Sequence, residues 1–497
     1  MAGSDENIVI VGAGIADLGA ALALGRPGRR ITLLDQDPPP PEGEADEVFR
    51  DWNHRGVAQL RHSHAFLARL HNLLRTRYPA LVEDLRAAGV REITFRDGLP
   101  HTLRDSYVPT PEDDDLTILT SRRTTMEMVI RRWVQANAAV TIETGVKVEG
   151  LTHIEGSSPV QVTGVTVVRT TAEGVAQRDT VAADVVIDAS GRRSIFPRWL
   201  RELGAEITEE SSDAGILYYT RHYRLNAGQI EPERGVVPGA GDLGYLKYGV
   251  FPADNGCFSI TLAVPTPEAD LRRLMTRAEV FQQVCMTLPG LVPWVNEERS
   301  EATSDVFGMG GLRNRYNHFV KDGVPAALNF FAVGDAFLFT NPLYGRGCSQ
   351  GILHSHLLAD VLDTVTDPRE RMLQYAALTA KELRPFYDSG VQQDKSAIRR
   401  AEAAMAVVPR RLRLKARLMK SFTEDAIVPA SRGDLGVLRA LSRGFHMLEP
   451  PALAFRRLDV LLPILRFWLM GKARKAPFYT PRMGPERHEM RNLLGLA

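Results

Sequence analysis

Three stretches of this chain carry residues whose types and spacing suit a phosphorylated, redox-active ligand. In NIVIVGAGIADLGAALALGRPGRRITLLD, residues 7–35, an apolar run at 8–11 enters Gly12, Ala13 and Gly14, an Ala/Leu-rich helix follows, and a second apolar strand ends on Asp35. That is the strand, glycine turn, helix, strand and acid of a dinucleotide-binding unit. Gly12 makes the turn, and Gly14 lets backbone approach a pyrophosphate. The helix N-terminus supplies unpaired N–H groups and the positive end of its dipole. Asp35 lies where a carboxylate accepts from a ribose diol. One position departs from the pattern: Asp17 replaces the third glycine, placing bulk and negative charge near the expected pyrophosphate. Ala21 and Gly19 are small enough to restore part of the lost close packing.

In the second stretch, ADVVIDASGRRSIFPRW at 183–199, Asp188 closes a buried strand and Gly191 permits a tight turn. The third, NFFAVGDAFLFTNPLYGRGCSQGILHSHLLADVL at 329–362, has a strand, a Gly334-Asp335 turn, and Gly345-Arg346-Gly347 opening a long helix. His62, His64 and His71 lack a nearby cysteine or a carboxylate at ligand spacing, so no metal is expected. Nothing has the form of a serine or cysteine triad.

The elements that position these turns read as follows. Residues 36–51, with four prolines in a row at 38–41, form a surface loop. Helical spacing covers 65–78, short strands and turns 89–119, and a helix starts near Ser121. Residues 140–151, 160–171 and 175–181 alternate as antiparallel strands do. Several strands follow over 217–264, with a hairpin turn at Asp254-Asn255-Gly256, then one amphipathic helix over 267–288. Beyond about residue 367 the pattern is helical to the end, broken at Pro409, Pro429, Pro450 and Pro451.

A length of 497 residues allows two or three structural units with a large core, and 44% hydrophobic and 24% charged residues are ordinary for a globular protein. Three cysteines without a CxxC pair suggest a reducing compartment. The opening MAGSDENIVI is acidic where a secretory leader is basic, and no apolar run reaches the roughly 18 residues of a spanning helix. A cytoplasmic protein without a nucleic-acid partner is expected. The net charge of +1 conceals an asymmetry, with roughly 17 Lys or Arg against 6 acids over 396–477. Such a tail can meet anionic lipid, an acidic partner or the protein's own acidic body, or be a solvated helical face. Within it LDVLLPILRFWLM, 458–470, can lie in a membrane surface or form a core helix.

Taken together, GAGIAD, DASGRRS and VGDAFLFTNPLYGRG resemble, in order and spacing, the three signatures of the p-hydroxybenzoate hydroxylase-like FAD-dependent oxidoreductases. That superfamily includes aromatic hydroxylases, squalene epoxidase, geranylgeranyl reductases and flavin-dependent halogenases. The resemblance spans roughly residues 7–363. It implies an α/β fold: a Rossmann-like FAD-binding domain at 1–90, 121–204 and 301–366, a substrate-domain segment at 91–120, an inserted antiparallel β-sheet substrate domain at 205–300, and a C-terminal helical region at 367–497. It further implies that Gly12, Ala13, Gly14 and Asp188 contact FAD, that Asp35 holds the adenosine ribose, and that Val146 pairs with the adenine edge. Arg123, in an R-x-x-x-E helix with Glu127, contacts FAD. Gly334 and Asp335 meet the ribityl chain, and Pro342 through Gly345 and Gly347 runs beside the isoalloxazine.

The implied reaction is monooxygenation, hydroxylating or epoxidising a hydrophobic molecule through a flavin C4a-hydroperoxide. The protein then supplies a dry pocket and substrate placement, and no obligatory acid or base follows. Arg61, Tyr344 and Arg346 are expected near the ring, as structural more than catalytic groups. No WxWxIP halogenase motif occurs among the five tryptophans. YLKYGVFP at 245–252 is similar to the YxWxFP stretch of geranylgeranyl reductases, which keeps a reductase of isoprenoid double bonds open. A flavin-binding module without catalysis is the remaining alternative, since Asp17 opposes the cofactor. No second dinucleotide unit is visible, so NAD(P)H binds transiently or a partner reductase supplies electrons.

Overall fold

The computed structural model describes residues 5–12, 14–170, 174–405 and 414–496, so Ala13 and Pro409 lie outside the described residues. Its centre is a parallel sheet of β1 (Glu6–Val11), β2 (Arg29–Asp35), β3 (Val140–Thr144), β4 (Val185–Asp188) and β5 (Phe330–Ala332), in the order β5-β4-β1-β2-β3. Ile10, Leu33, Val186 and Phe330 are fully buried, which matches strands whose apolar runs are covered on both faces. The chain leaves β1 toward β2 on one side, whereas β4 and β5 lie on the other. The end of β1 is therefore a topological switch point, where such sheets hold ligands. Gly12, Asp35, Asp188 and Gly334 all sit at this edge.

Helix α1 (Ile15–Leu24) packs on α3 (Gly347–Thr364), and α2 (Arg123–Asn137) lies nearby. The close approach of α1 and α3 explains two glycines: a Cβ on Gly19 would meet Ile352 Cδ1 at 2.7 Å, and one on Gly351 would meet Ala16 Cβ at 3.0 Å. Gly19 thus serves helix–helix packing. Ser355 Oγ donates to Ala16 O at 2.9 Å across the same contact.

An antiparallel sheet built on Ile216–Leu225, Lys247–Pro252 and Cys257–Pro265 forms the second body, with its own core around Phe258, Ile260, Phe281 and Trp294. The expected hairpin turn is present, with Asn255 and Gly256 at φ of 56° and 71°. Residues 140–151 are not one strand: Gly145, at φ 70°, divides β3 from Val146–His153, sending the first into the parallel sheet and the second into an antiparallel meander. Residues 267–288 are two helices, Ala269–Leu274 and Ala278–Cys285, because the chain turns between Leu274 and Arg277 to keep both apolar faces on the sheet. Pro429 does not break its helix. It follows a π-helical turn, Thr423–Ile427, and stands in the first turn of Val428–Gly433, where a missing N–H is tolerated. The C-terminal region is not helical throughout: Tyr245 and Tyr248 hydroxyls donate to Pro485 O and Met483 O at 2.8 and 3.0 Å, drawing an irregular segment onto the antiparallel sheet.

Candidate cofactor and substrate cavity

The three turns open onto one cavity of about 760 Å³ that runs from Gly12, Gly14 and Asp35, past Gly334 and Asp335, to the antiparallel sheet. Val146, Arg123, Pro342, Gly345 and Gly347 also line it. Asp188 does not. Its carboxylate accepts from Ser190 N, Ser190 Oγ and Ser194 Oγ at 3.0, 2.6 and 2.5 Å, so it shapes the turn from behind the wall. The Asp188 carboxyl is pushed up by burial, against those three bonds.

At the Asp35 end, burial raises the carboxyl to about 6, opposed by the Asp37 N–H bond and by Arg131. One oxygen accepts from Asp37 N at 3.0 Å, while Oδ2 has no hydrogen-bond partner among the described residues. Sequence reasoning missed what surrounds it: the Arg131 guanidinium at 3.6 Å and His54 Nε2 at 3.7 Å, from segments far away in the chain. His54 is lowered to about 3, by burial and then by Arg123 and Arg131, so its imidazole is neutral. Asp35, Asp37 and His54 bring ligand atoms within 4.8 Å of one another, an arrangement the sequence did not announce. Asp37 is already engaged, accepting from Gly56 N at 2.6 Å.

Arg123 is buried. Burial works against its charge, but Glu127 holds it protonated, with Nε donating to Glu127 Oε1 at 2.6 Å. Its Nη2 lies 3.8 Å from where a Gly14 Cβ would stand. Asp17 turns inward and accepts from Gly14 N, and its Oδ1 has no partner among the described residues. Burial drives its carboxyl well above the usual range, with Asp35, Glu127 and Asp188 adding to the rise.

At the far end the 341–345 turn is held by a buried network. Asp394 accepts from Asn314 Nδ2, Asn341 Nδ2 and Tyr344 OH at 2.7, 2.8 and 2.7 Å, and Tyr218 OH donates to Asn341 Oδ1. Gly345 ends the turn at φ 64°, a left-handed conformation that glycine adopts freely. Arg346 is buried behind the wall, donating to Phe386 O at 2.7 Å and lying 4.9 Å over the Tyr344 ring. Arg61 is tied to backbone, donating to Phe49 O, Arg50 O and Trp52 O. Of the three groups expected near a ring, only Tyr344 lines the cavity. Tyr218, Tyr248, Phe251 and Met309 supply an apolar wall, and Thr220 and Thr261 place hydroxyls 2.8 Å apart on it.

No family model matches the chain. Protein Rv3254 of Mycobacterium tuberculosis is 29% identical over 289 residues, 54% of this chain and 56% of that protein, so the match spans little more than half of the relative. Among solved structures, PqsL, a probable FAD-dependent monooxygenase from Pseudomonas aeruginosa, superposes with a TM-score of 0.55 at 16% identity, over 80% of this chain and 97% of that one. A flavoprotein/dehydrogenase from Cytophaga hutchinsonii gives 0.59 at 12% identity over 93% and 98%. The myxobacterial chondrochloren halogenase CndH gives 0.57 at 14% over 91% and 97%. The chain has the fold of FAD-dependent monooxygenases and flavin-dependent halogenases.

FAD suits this cavity at both ends. The unpartnered Asp35 Oδ2 matches a ribose hydroxyl, and the N-terminus of α3, opened by Gly345 and Gly347, matches the electron-rich edge of a reduced flavin. A Cβ on Gly347 would stand 3.8 Å from Asp335 Oδ1, so glycine keeps the groove beside that carboxylate open. Only at the middle does the fold resist, where Asp17 takes the Gly14 N–H that a pyrophosphate would use.

Proposed function

We propose that this chain is an FAD-dependent monooxygenase that adds one oxygen atom to a hydrophobic organic molecule. The observation that supports it is the continuity of the cavity from the glycine turn to the aromatic face of the antiparallel sheet, so that cofactor and substrate share one enclosure. Bound FAD supplies the redox chemistry, and NAD(P)H or a partner reductase supplies its electrons. The chain's own residues do the rest. Arg123 and the α1 N-terminus face the phosphates, Asp35 accepts from the ribose, and the Asp394 network fixes the 341–345 turn. Tyr218, Tyr248 and Met309 exclude water and orient an apolar substrate, while Thr220 and Thr261 are satisfied by each other, His62 and Ser63. The histidines near that wall, His62 and His64, are lowered by burial to about 4 and about 3, so they add no positive charge.

One observation keeps a second reading in play. Tyr248 and Phe251, from the stretch similar to that of geranylgeranyl reductases, face the cavity, as they would in a reductase of isoprenoid double bonds. The test is turnover of FAD-loaded protein on aromatic and isoprenoid panels with and without air, using ¹⁸O-labelled oxygen and mass spectrometry. Label in product supports the monooxygenase. Saturated product without air supports the reductase, and FAD bound without product from either panel leaves only a flavin-binding module.

A further inference from the structure

The C-terminal region carries a surface that neither the cavity nor the cofactor explains. Helix Leu458–Leu469 has two apolar faces. Val460, Ile464 and Phe467 are buried in a small core with Ala426, Ala430 and Val437. On the opposite side Leu458, Leu462 and Leu469 stand 70, 61 and 85% exposed, on one stripe at helical spacing. The helix Leu414–Phe422 lies alongside, joined through Trp468 Nε1, which donates to Ser421 Oγ at 3.2 Å, and through Phe422, whose ring is 5.3 Å from that of Trp468. It adds exposed Leu414, Leu418 and Met419, and the loop before the first helix adds Leu453 and Phe455.

Cations are set among these leucines. Lys415, Arg417, Arg456, Arg466, Lys472 and Arg474 are exposed, and none has an ion-pair partner among the described residues. The single acid on the leucine helix, Asp459, is engaged by Arg457 at 2.6 Å.

We propose that this surface docks on an anionic lipid bilayer, with the leucine stripe in the acyl boundary and the arginines and lysines at the headgroups. Protruding aliphatic tips separated by cations do not form the contiguous apolar patch of a rigid protein interface. A fluid medium needs no complementary shape, and its negative surface accepts the cations wherever they fall. The attachment is peripheral: among the described residues no helix is long and apolar enough to cross a membrane. The same module reaches the cavity, because Phe445, at the end of helix Leu435–Phe445 and itself half-exposed, lines it together with His446. A hydrophobic molecule drawn from the bilayer would therefore be handed to a cavity that the docking module itself helps to line. That last step rests on the proposed function, whereas the docking itself does not.

Flotation of the full chain with phosphatidylcholine vesicles, and with vesicles also containing phosphatidylglycerol, tests the surface whether or not FAD is bound. Binding to the anionic vesicles should weaken about tenfold for each of Leu462→Asp and Leu469→Asp, and about thirtyfold for each charge reversal, Arg456→Glu or Arg466→Glu, which changes the charge by two. The charge reversals touch no apolar contact and preserve the test if a leucine variant misfolds, which melting temperature reports. Three results would overturn the proposal: no flotation with either vesicle, equal flotation with both, or dimerisation in light scattering that the leucine variants abolish while vesicles are ignored. The last would assign the stripe to a second copy of this chain.

Discussion

Asp17 gives the sharpest test of the cofactor reading, because its carboxylate and a pyrophosphate compete for the Gly14 N–H. Replacing Asp17 with Asn removes the charge and keeps an acceptor for that N–H. Replacing it with Gly would also loosen the first turn of α1, confusing the outcome by about 1 kcal/mol. Two unit charges drawn to one N–H lie on the order of 5 Å apart, which at an effective dielectric near 20 costs about 3 kcal/mol. The site can avoid this by protonating Asp17. From an ordinary carboxyl that costs about 4 kcal/mol at pH 7, at roughly 1.4 kcal/mol per pH unit, and less here because burial has already raised the group. The penalty in the wild type is therefore about 1–3 kcal/mol, and Asp17→Asn should tighten FAD binding tenfold to a hundredfold.

Protonation also makes the penalty depend on pH. Wild-type affinity should fall as pH rises through the raised Asp17 value, and the Asn variant should be flat. Calorimetric titration of apoprotein in two buffers of different ionisation enthalpy would show proton uptake with FAD in the wild type alone. Linkage gives a second readout free of cofactor. A carboxyl raised in the folded state stabilises below its unfolded value, near 4, and that contribution is lost as pH rises through the folded value. The apo Asn variant should thus melt higher than wild type at pH 7 and equally at about pH 4. Equal FAD affinity in both proteins with no pH dependence in either would refute the competition.

Asp35→Ala should weaken FAD about tenfold by removing the ribose acceptor, read by fluorescence titration. Since Asp35 is raised to about 6, Asp35→Asn should stabilise the apoprotein above pH 6, by about 3 kcal/mol at most, with the gain vanishing near pH 4 in melting curves. Gly334→Ala forces φ 57° on an L residue and brings a Cβ within 2.8 Å of Ala16 Cβ, so urea unfolding should show a loss of about 1–3 kcal/mol. Asp394→Ala leaves two amide donors and the Tyr344 hydroxyl unpaired in a buried site and should cost about 3–5 kcal/mol. Stability unchanged within about 0.5 kcal/mol in denaturant would show that the network does not hold the turn.

The parts legible in the sequence are those with a local signature. The strand, Gly12 turn, helix and Asp35 are contiguous, and each residue type answers to a backbone need or a ligand group. The same holds for the Gly334-Asp335 turn and for Gly345, whose φ of 64° is the conformation its type suggests. The direction of a side chain was not legible. Asp188 carries the right residue at the right strand end, yet Ser190 and Ser194 turn its carboxylate away from the cavity. In the sequence Asp17 is a steric and electrostatic departure, but that it folds back onto its own helix start depends on the space beside Gly12, where a Cβ would stand 2.8 Å from Asp17 Oδ1. The breaks at Gly145 and near Met275 are hidden because the apolar pattern continues across each, while at Gly145 the strand changes partner and near Met275 the chain turns on the same sheet.

What lay furthest from the sequence is the charge balance around the glycine turn. Asp17, Asp35 and Glu127 come from three separate elements, and a site that crowds three carboxylates where a doubly negative pyrophosphate would lie looks self-defeating. The arginines resolve it. Arg123 and Glu127 are four residues apart on α2, so Glu127 pairs from behind with an arginine that lines the cavity, one Arg123 nitrogen lying against Gly14. One turn further along the helix Arg131 reaches Asp35. Helix α2 therefore sets Arg123 at the cavity and Glu127 and Arg131 behind it, and of these three carboxylates Asp17 has no ion-pair partner among the described residues. That leaves Asp17, of these three, as the carboxylate whose proton must answer for the cofactor's charge, which is why its pH dependence, more than that of Asp35, reports on what the cavity holds.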